Sequence, residues 1–93
     1  MKLDMTRDAS KYLTDLATSA KQYVQVARKI FSLMADPRPN DSEAMQGYDY
    51  RRMDVGEYRV VYEIDDAAEI VNIVLIGKRN GDEVYQKLKR KSG

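Results

Sequence analysis

The chain has 93 residues and a formal net charge of +1, and 43% of its residues are hydrophobic while 33% are charged. A chain of this length buries one modest core, so we expect a single domain over residues 1–93, which excludes a multidomain enzyme. It contains no cysteine and no histidine, which excludes disulfides and leaves only carboxylates as zinc ligands, so we expect neither a metal nor a cofactor.

The N-terminal stretch MKLDMTRDAS lacks the apolar segment that is typical of a signal peptide. No stretch of the sequence approaches the ~18 consecutive apolar residues of a membrane-spanning helix. The lack of cysteine is compatible with a reducing compartment. We therefore expect a cytoplasmic protein that has no membrane partner.

The alternation of Met1, Leu3 and Met5 with polar residues predicts a short first strand. The period of the apolar residues then changes to that of a helix, and their spacing predicts a helix with one apolar face over about residues 7–18. This stripe consists of Ala9, Tyr12, Leu13, Leu16 and Ala20.

A second helix is predicted to begin near Ala20, because Ser19 and Gln22 have the spacing of a capping box. Pro37 and Pro39 end this helix, since neither can donate a backbone hydrogen bond. We interpret its apolar stripe as core: Tyr23, Val26, Ala27, Ile30, Phe31, Leu33 and Met34. Two helices joined so closely are expected to form an antiparallel hairpin.

The second half of the chain predicts three strands and a last helix. The segments YDYRRMD, EYRVVYEI and EIVNIVLIG are separated by turns at Gly56 and at residues 65–68, which predicts an antiparallel meander. Residues 70–76 are apolar at every position except Asn72, so both faces of this strand are apolar, as in a central strand. Asn80 is placed to cap a short C-terminal helix. We predict an α+β fold in which the helical hairpin covers one face of an antiparallel sheet.

Arg59 is a permanent cation in the middle of a strand. Side chains alternate along a strand, so Arg59 is expected on the open face, away from the helices. The side chains expected to face the helices are those of Tyr58, Val60, Tyr62 and Ile64. If the preceding turn is centred on residues 55–56, Arg52 lies opposite Arg59, and two cations so close suggest an anion site. If the turn is residues 56–57, Asp54 faces Arg59 in an ordinary ion pair. The hairpin sequence leaves both registers open.

The charges are unevenly distributed along the chain. Residues 78–93 carry a local net charge of +4, whereas residues 49–69 carry −4. The basic residues of this C-terminal tail are Lys78, Arg79, Lys87, Lys89, Arg90 and Lys91. The tail is where a polyanion would be attracted, although a basic terminal helix that is merely solvated has the same composition.

A basic groove is predicted where the central strand ends. Lys78 and Arg79 follow that strand, which is antiparallel to the strand of Arg59, so they can reach the same face. With Tyr50 and Tyr85 nearby, the groove suits a nucleic-acid backbone whose bases stack on aromatic rings. The alternative for both tyrosines is packing at the edge of the core.

The blocks YRVVY and GKRNGDEVY resemble the RelE-like toxins of bacterial and archaeal toxin–antitoxin systems, within the RelE/ParE superfamily. The resemblance covers nearly the whole chain and implies the same α+β fold. It implies an endoribonuclease that cleaves mRNA in the ribosomal A site, where the ribose 2′-hydroxyl attacks the adjacent phosphate. The expected partners are the 70S ribosome, mRNA and a cognate antitoxin, RelB-like or other.

The resemblance also implies roles for single residues. Arg59 would hold the scissile phosphate, Arg79 would stabilise the charge that develops there or assist the leaving oxygen, and Tyr85 would stack on or orient a base. Two lysines found on the first meander strand of relatives correspond to Tyr50 and Arg52, so only Arg52 keeps the charge. The candidates for the general base are Tyr50, Lys78 and Glu43. The expected RNA-binding residues are Lys78, Tyr50, Arg51, Lys87, Lys89 and Arg90.

Two other classes of function stay open. A ParE-like toxin has the same fold but inhibits DNA gyrase through protein contacts, without an RNA-cleaving cluster. A noncatalytic module that binds RNA or protein is favoured if Asp54 neutralises Arg59 and no general base is present. The combination of Arg59, Arg79 and Tyr85 favours the ribonuclease.

Overall fold

The protein consists of three helices and five strands, as seen in a computed structural model that describes the backbone of residues 1–92 and the side chains of residues 1–90. The elements are β1 (Lys2–Met5), α1 (Arg7–Leu16), α2 (Ala20–Ser32), β2 (Ser42–Ala44), β3 (Arg51–Val55), β4 (Tyr58–Asp65), β5 (Ile70–Lys78) and α3 (Glu83–Ser92). Gly93 and the side chains of Lys91 and Ser92, in the predicted basic tail, lie outside the described residues. No helix of the described part is both long and apolar enough to cross a membrane.

The five strands form one sheet in the order β1-β5-β4-β3-β2. Strands β3, β4 and β5 pair antiparallel, which confirms the predicted meander and the α+β class. Strand β1 lies parallel to β5 at one edge, so the sheet is mixed. Strand β2, which the sequence patterns did not predict, pairs with β3 at the other edge. Because β1 and β5 are far apart in the sequence, local patterns do not determine their relative direction.

The main core lies between the sheet and helices α1 and α2. On β4, the side chains of Tyr58, Val60 and Tyr62 point into this core, as the alternation predicts. The hydroxyl of the fully buried Tyr62 donates to the Pro37 carbonyl at 2.8 Å, which fastens the loop after α2 to the sheet. The helices contribute Ala9, Leu16, Val26, Ile30 and Leu33.

Helix α2 begins at Ala20 as predicted, but the Ser19 side chain makes no capping hydrogen bond, so the capping-box prediction is wrong. Phe31 is 61% exposed, and Tyr23 and Met34 are exposed as well, so the interpretation of the whole stripe as core is wrong at these three positions. The apolar residues of α2 spread over about half of the helix circumference, and a helix in contact with one layer buries only a narrower stripe. Phe31 lies on the outer flank of this apolar stripe, which therefore faces solvent, whereas Tyr23 lies near the start of α2 and Met34 lies beyond its end.

A second, smaller core lies on the opposite face of the sheet, beneath α3. Val61, Leu75 and Val84 are fully buried there. A bulge in the β4–β5 pairing beside Val61 places both Val74 and Leu75 in this cluster. The face that carries Arg59 was expected to be open, and that expectation is wrong for the part that α3 covers.

Helix α3 begins at Glu83, and Asp82, rather than the predicted cap Asn80, immediately precedes it. The Gln86 amide donates to the Asp82 carbonyl at 3.1 Å, which forms the first turn of the helix. Gly81 and Asp82 have φ values of 80° and 51°, a left-handed conformation that glycine and aspartate tolerate better than most residues. The chain thus reverses sharply after β5, and α3 returns over the end of the sheet that carries Arg59.

Candidate anion-binding site

The β3–β4 hairpin determines which side chains meet at the site. The two strands are joined by a turn at residues 56–57, and Asp54 lies directly opposite Arg59. The alternative register, with Arg52 opposite Arg59, is wrong. Gly56 has a φ of 57°, the left-handed conformation that the first position of a two-residue hairpin turn requires.

Three arginines surround the carboxylate of Asp54. Arg59 Nε donates to Asp54 Oδ1 at 2.8 Å, Arg79 Nε lies 3.4 Å from Asp54 Oδ2, and Arg52 Nη1 lies 4.0 Å from the same oxygen. The hydrogen bond from Arg59 is the main cause that lowers the pKa of the Asp54 carboxyl below its ordinary value. Asp54 is therefore ionised at neutral pH, and one negative charge is shared among three guanidinium groups.

Arg52 belongs to the neighbouring row of the same face. It pairs with Val61 on one side and with Glu43 on the other. Glu43 Oε2 accepts a hydrogen bond from Arg52 Nη2 at 2.8 Å. Of the three candidate bases, Glu43 thus contacts the arginine cluster through Arg52.

Arg59 is the most enclosed of the three arginines, since its side chain is only 12% exposed. Its Cζ lies 5.7 Å from the centre of the Tyr85 ring, within the range of a cation–π contact. Asp82 Oδ1 lies 3.8 Å from Arg59 Nη1. Strand β4 and helix α3 therefore hold this guanidinium from two sides.

Arg79 joins the turn before α3 to the β3–β4 turn. Its amide donates to the Glu57 carbonyl at 2.9 Å, and its Nη1 donates to the Gly56 carbonyl at 3.3 Å. The side chain is 51% exposed. It borders a depression of about 560 Å³ that is lined by Gly56, Glu57, Lys78, Arg79 and Asn80. The arginine cluster is thus open to solvent on the side of Arg79.

Gly77 lies directly opposite Arg59 in the β4–β5 pairing. Because glycine has no side chain, α3 can lie directly on the sheet at this point. A Cβ at this position would lie 3.1 Å from Glu83 Cβ and 3.1 Å from Val84 Cγ1, closer than almost all real Cβ contacts. The close approach carries Tyr85 to Arg59. Sequence reasoning missed Gly77, because the signal, a glycine at the end of an apolar strand, has meaning only once its cross-strand neighbour is known.

Three of the predicted site residues lie apart from the cluster. Lys78 is paired with Tyr58, and Arg51 is paired with Tyr62. Because these two tyrosines face the main core, the side chains of Lys78 and Arg51 leave the sheet on the α1–α2 side. Arg51 Nη2 donates to Ser42 Oγ at 2.9 Å. Tyr50 precedes β3, packs against the second core and lies parallel to the ring of Tyr48, with 6.1 Å between the ring centres.

The basic residues of α3 point in different directions. Lys87 Nζ donates to the Ile76 carbonyl at 3.1 Å, lies 3.5 Å from Asp8 Oδ1 and lies 4.6 Å from the centre of the Tyr12 ring. These contacts fasten α3 to β5 and to α1. Lys89 and Arg90 are exposed on the outer surface of α3. The structure therefore brings together Arg52, Arg59, Arg79 and Tyr85, with Glu43 at the margin.

The arrangement of sheet and helices is similar to that of solved toxins of the RelE type. A free-state double arginine-to-alanine mutant of E. coli RelE matches with 26% identity and a TM-score of 0.73, over 96% of this chain and 95% of that chain. The isolated E. coli RelE toxin matches with 23% identity and a TM-score of 0.72, over 99% and 98%. RelE in the archaeal RelE–RelB complex from Pyrococcus horikoshii OT3 matches with 21% identity and a TM-score of 0.73, over 86% and 96%.

The family itself is shown by the sequence. Residues 3–83 match the profile of the ParE toxin of type II toxin–antitoxin systems, parDE, and the chain belongs to this family. The protein is therefore a toxin of a type II toxin–antitoxin system. No curated protein sequence matches it.

Proposed function

We propose that this toxin is a ribosome-dependent endoribonuclease that cleaves mRNA in the A site, by attack of a ribose 2′-hydroxyl on the adjacent phosphate. The observation that carries the proposal is the convergence of Arg52, Arg59 and Arg79 beside the ring of Tyr85. Guanidinium groups match phosphate oxygens by paired hydrogen bonds, and aromatic rings stack on unpaired bases. The cluster thus supplies both kinds of contact that single-stranded RNA requires.

Each member of the cluster has a proposed role. Arg59, the most enclosed guanidinium, holds the scissile phosphate. Arg79, which is half exposed and therefore accessible to the substrate, stabilises the charge that develops on the phosphate and the leaving oxygen. Arg52 adds positive charge, and Tyr85 orients a base. Lys89 and Arg90 on the outer surface of α3 contact the RNA backbone.

The proton of the 2′-hydroxyl requires an acceptor, and arginine is too basic to serve. Glu43 is the candidate whose carboxylate contacts the cluster, through Arg52 at 2.8 Å. Tyr50, which packs against the second core, and Lys78, which lines the depression beside Arg79, remain alternatives. Much of the rate in this class of reaction can come from in-line positioning of the attacking and leaving oxygens, which the ribosome would supply.

The test is cleavage of one mRNA by the purified toxin, with and without programmed ribosomes. Cleavage on the ribosome should be at least about 100-fold faster, because the ribosome fixes the reacting groups in line. The products should carry a 2′,3′-cyclic phosphate, or its hydrolysed 3′-phosphate, and a 5′-hydroxyl, since the nucleophile belongs to the substrate. Efficient cutting of naked mRNA would contradict the ribosome dependence, and 5′-phosphate ends would contradict the 2′-hydroxyl mechanism.

A second candidate function is inhibition of DNA gyrase, which the match to the ParE family favours. The same preparation should therefore be assayed for inhibition of gyrase-catalysed supercoiling. Supercoiling inhibition without cleavage of ribosome-bound mRNA would replace the ribonuclease proposal with this one. If neither activity occurs, the noncatalytic module is the remaining function, which the ion pair between Asp54 and Arg59 favours.

We further propose that a cognate antitoxin binds the toxin along residues 78–91 and covers the arginine cluster. The P. horikoshii RelE was solved in complex with RelB, and a segment that orders on binding can wrap such a groove. Amide hydrogen exchange of the complex should show new protection in this range. Protection confined to the outer faces of α1 and α2, of which α2 exposes Val24 and Phe31, would place the antitoxin elsewhere.

A further inference from the structure

The carboxylate of Asp54 contacts the guanidinium nitrogens with which the arginines would bind a phosphate. Among the described residues it is the one carboxylate that lies within 4.0 Å of all three arginines. One of its oxygens faces Arg59 Nε and the other faces Arg79 Nε. A phosphate that bridged two guanidinium groups would present two oxygens in the same way. The site in this toxin therefore already contains an anion, and that anion is part of the chain.

We propose that Asp54 is a built-in occupant of the phosphate site, that the substrate phosphate must displace it, and that this exchange makes the toxin discriminate against free RNA. The inference rests on the proposed function only in taking the incoming anion to be an RNA phosphate. Free RNA has to compete with a carboxylate that is tethered next to the arginines and has a high effective concentration there. RNA held by the ribosome presents its phosphate at a comparably high effective concentration.

The geometry around Asp54 permits the exchange. Its side chain is 34% exposed, whereas that of Arg59 is 12% exposed and is held between Tyr85 and Asp82. The carboxylate can therefore move while Arg59 stays in place. Arg52 Nη1, at 4.0 Å from Oδ2, offers the displaced carboxylate a partner on the same face. The backbone of Asp54 remains paired in the β3–β4 ladder throughout.

Asp54→Asn tests the proposal, because asparagine keeps the size of the side chain and removes its charge. The probe is a short fluorescent 2′-O-methyl RNA, which cannot be cleaved by a 2′-hydroxyl mechanism, and its binding is measured by anisotropy without ribosomes. Loss of one negative charge next to the phosphate site should tighten binding by about tenfold. The dependence of log affinity on log salt should steepen by about 0.7, the value for one more phosphate contact with a single strand.

The matched control is Asp66→Asn, which removes the same charge and also unpairs an arginine, Arg38, but lies just beyond the opposite end of β4. Its affinity should stay within about threefold of that of the wild type, since exposed charges far from the site are screened. Adding Arg59→Ala to Asp54→Asn should abolish the gain. Thermal unfolding of each variant verifies the fold, and Asp54→Ser provides a second variant if the asparagine protein is unstable.

Unchanged or weaker binding by folded Asp54→Asn would overturn the proposal and make Asp54 a residue that only positions the arginines. A gain that survives Arg59→Ala would overturn it as well, because the effect would then not arise at this site. The binding result is independent of cleavage. A tenfold gain in RNA affinity without ribosomal cleavage would support the exchange and contradict the proposed ribonuclease function. Ribosomal cleavage without a gain in affinity would contradict only the exchange.

Discussion

Arg59→Ala is expected to reduce cleavage of ribosome-bound mRNA by about 100- to 1,000-fold, the usual effect of removing one donor from a site that stabilises developing charge. The free energy of unfolding should fall by only about 1 kcal/mol, because Asp54 keeps its contacts with Arg79 and Arg52. Single-turnover cleavage and urea unfolding measure the two effects separately. Arg59→Lys should recover little activity, since a lysine cannot form the paired hydrogen bonds of a guanidinium.

The control for this experiment is Arg38→Ala. Arg38 also pairs with an aspartate, Asp66, through two hydrogen bonds, but it lies at the other end of the sheet and is half exposed. Its replacement should change cleavage by less than about twofold, as expected for a surface ion pair that is remote from the site. Loss of the folded state in Arg59→Ala would contradict the proposal and identify Arg59 as a structural residue whose main task is to pair with Asp54.

Val84→Asp is expected to detach α3 from the sheet. Val84 is fully buried in the second core, and an unpaired charge at such a position destabilises by about 3–5 kcal/mol. The main core, on the other face of the sheet, does not include Val84, so the sheet and the α1–α2 hairpin should remain folded. Hydrogen exchange should show loss of protection over residues 83–92 and retained protection in β4.

The functional consequence of Val84→Asp follows from Tyr85, which α3 carries to Arg59. Cleavage should fall by about 10- to 100-fold, the loss expected for one stacked base, and Tyr85→Ala should give the same result without the loss of protection in α3. Gln86→Asp, on the exposed side of the same helix, introduces the same charge and should leave α3 docked. Global unfolding of Val84→Asp would show instead that both cores form one cooperative unit.

Local patterns in the sequence determined most of the secondary structure and the composition of the site. The periods of the apolar residues correctly predicted α1 and the burial of Tyr58, Val60 and Tyr62, and the turn residues between the strands correctly predicted the meander. They also assigned Arg59 to the opposite face, because side chains alternate in a strand wherever that strand lies. These features depend on residues that are close in the sequence, and for that reason they could be predicted without the fold.

The tertiary structure alone decided which partner Arg59 has and how open its face is. A shift of the β3–β4 turn by one residue exchanges Arg52 for Asp54, and the sequence is compatible with both turns. The cover over the second core depends on the bulge beside Val61 and on the missing side chain of Gly77. Likewise, Phe31 is exposed because nothing in the described chain packs on that flank of α2. Each of these outcomes depends on contacts between elements that are distant in the sequence, and periodicity within one element contains no information about them.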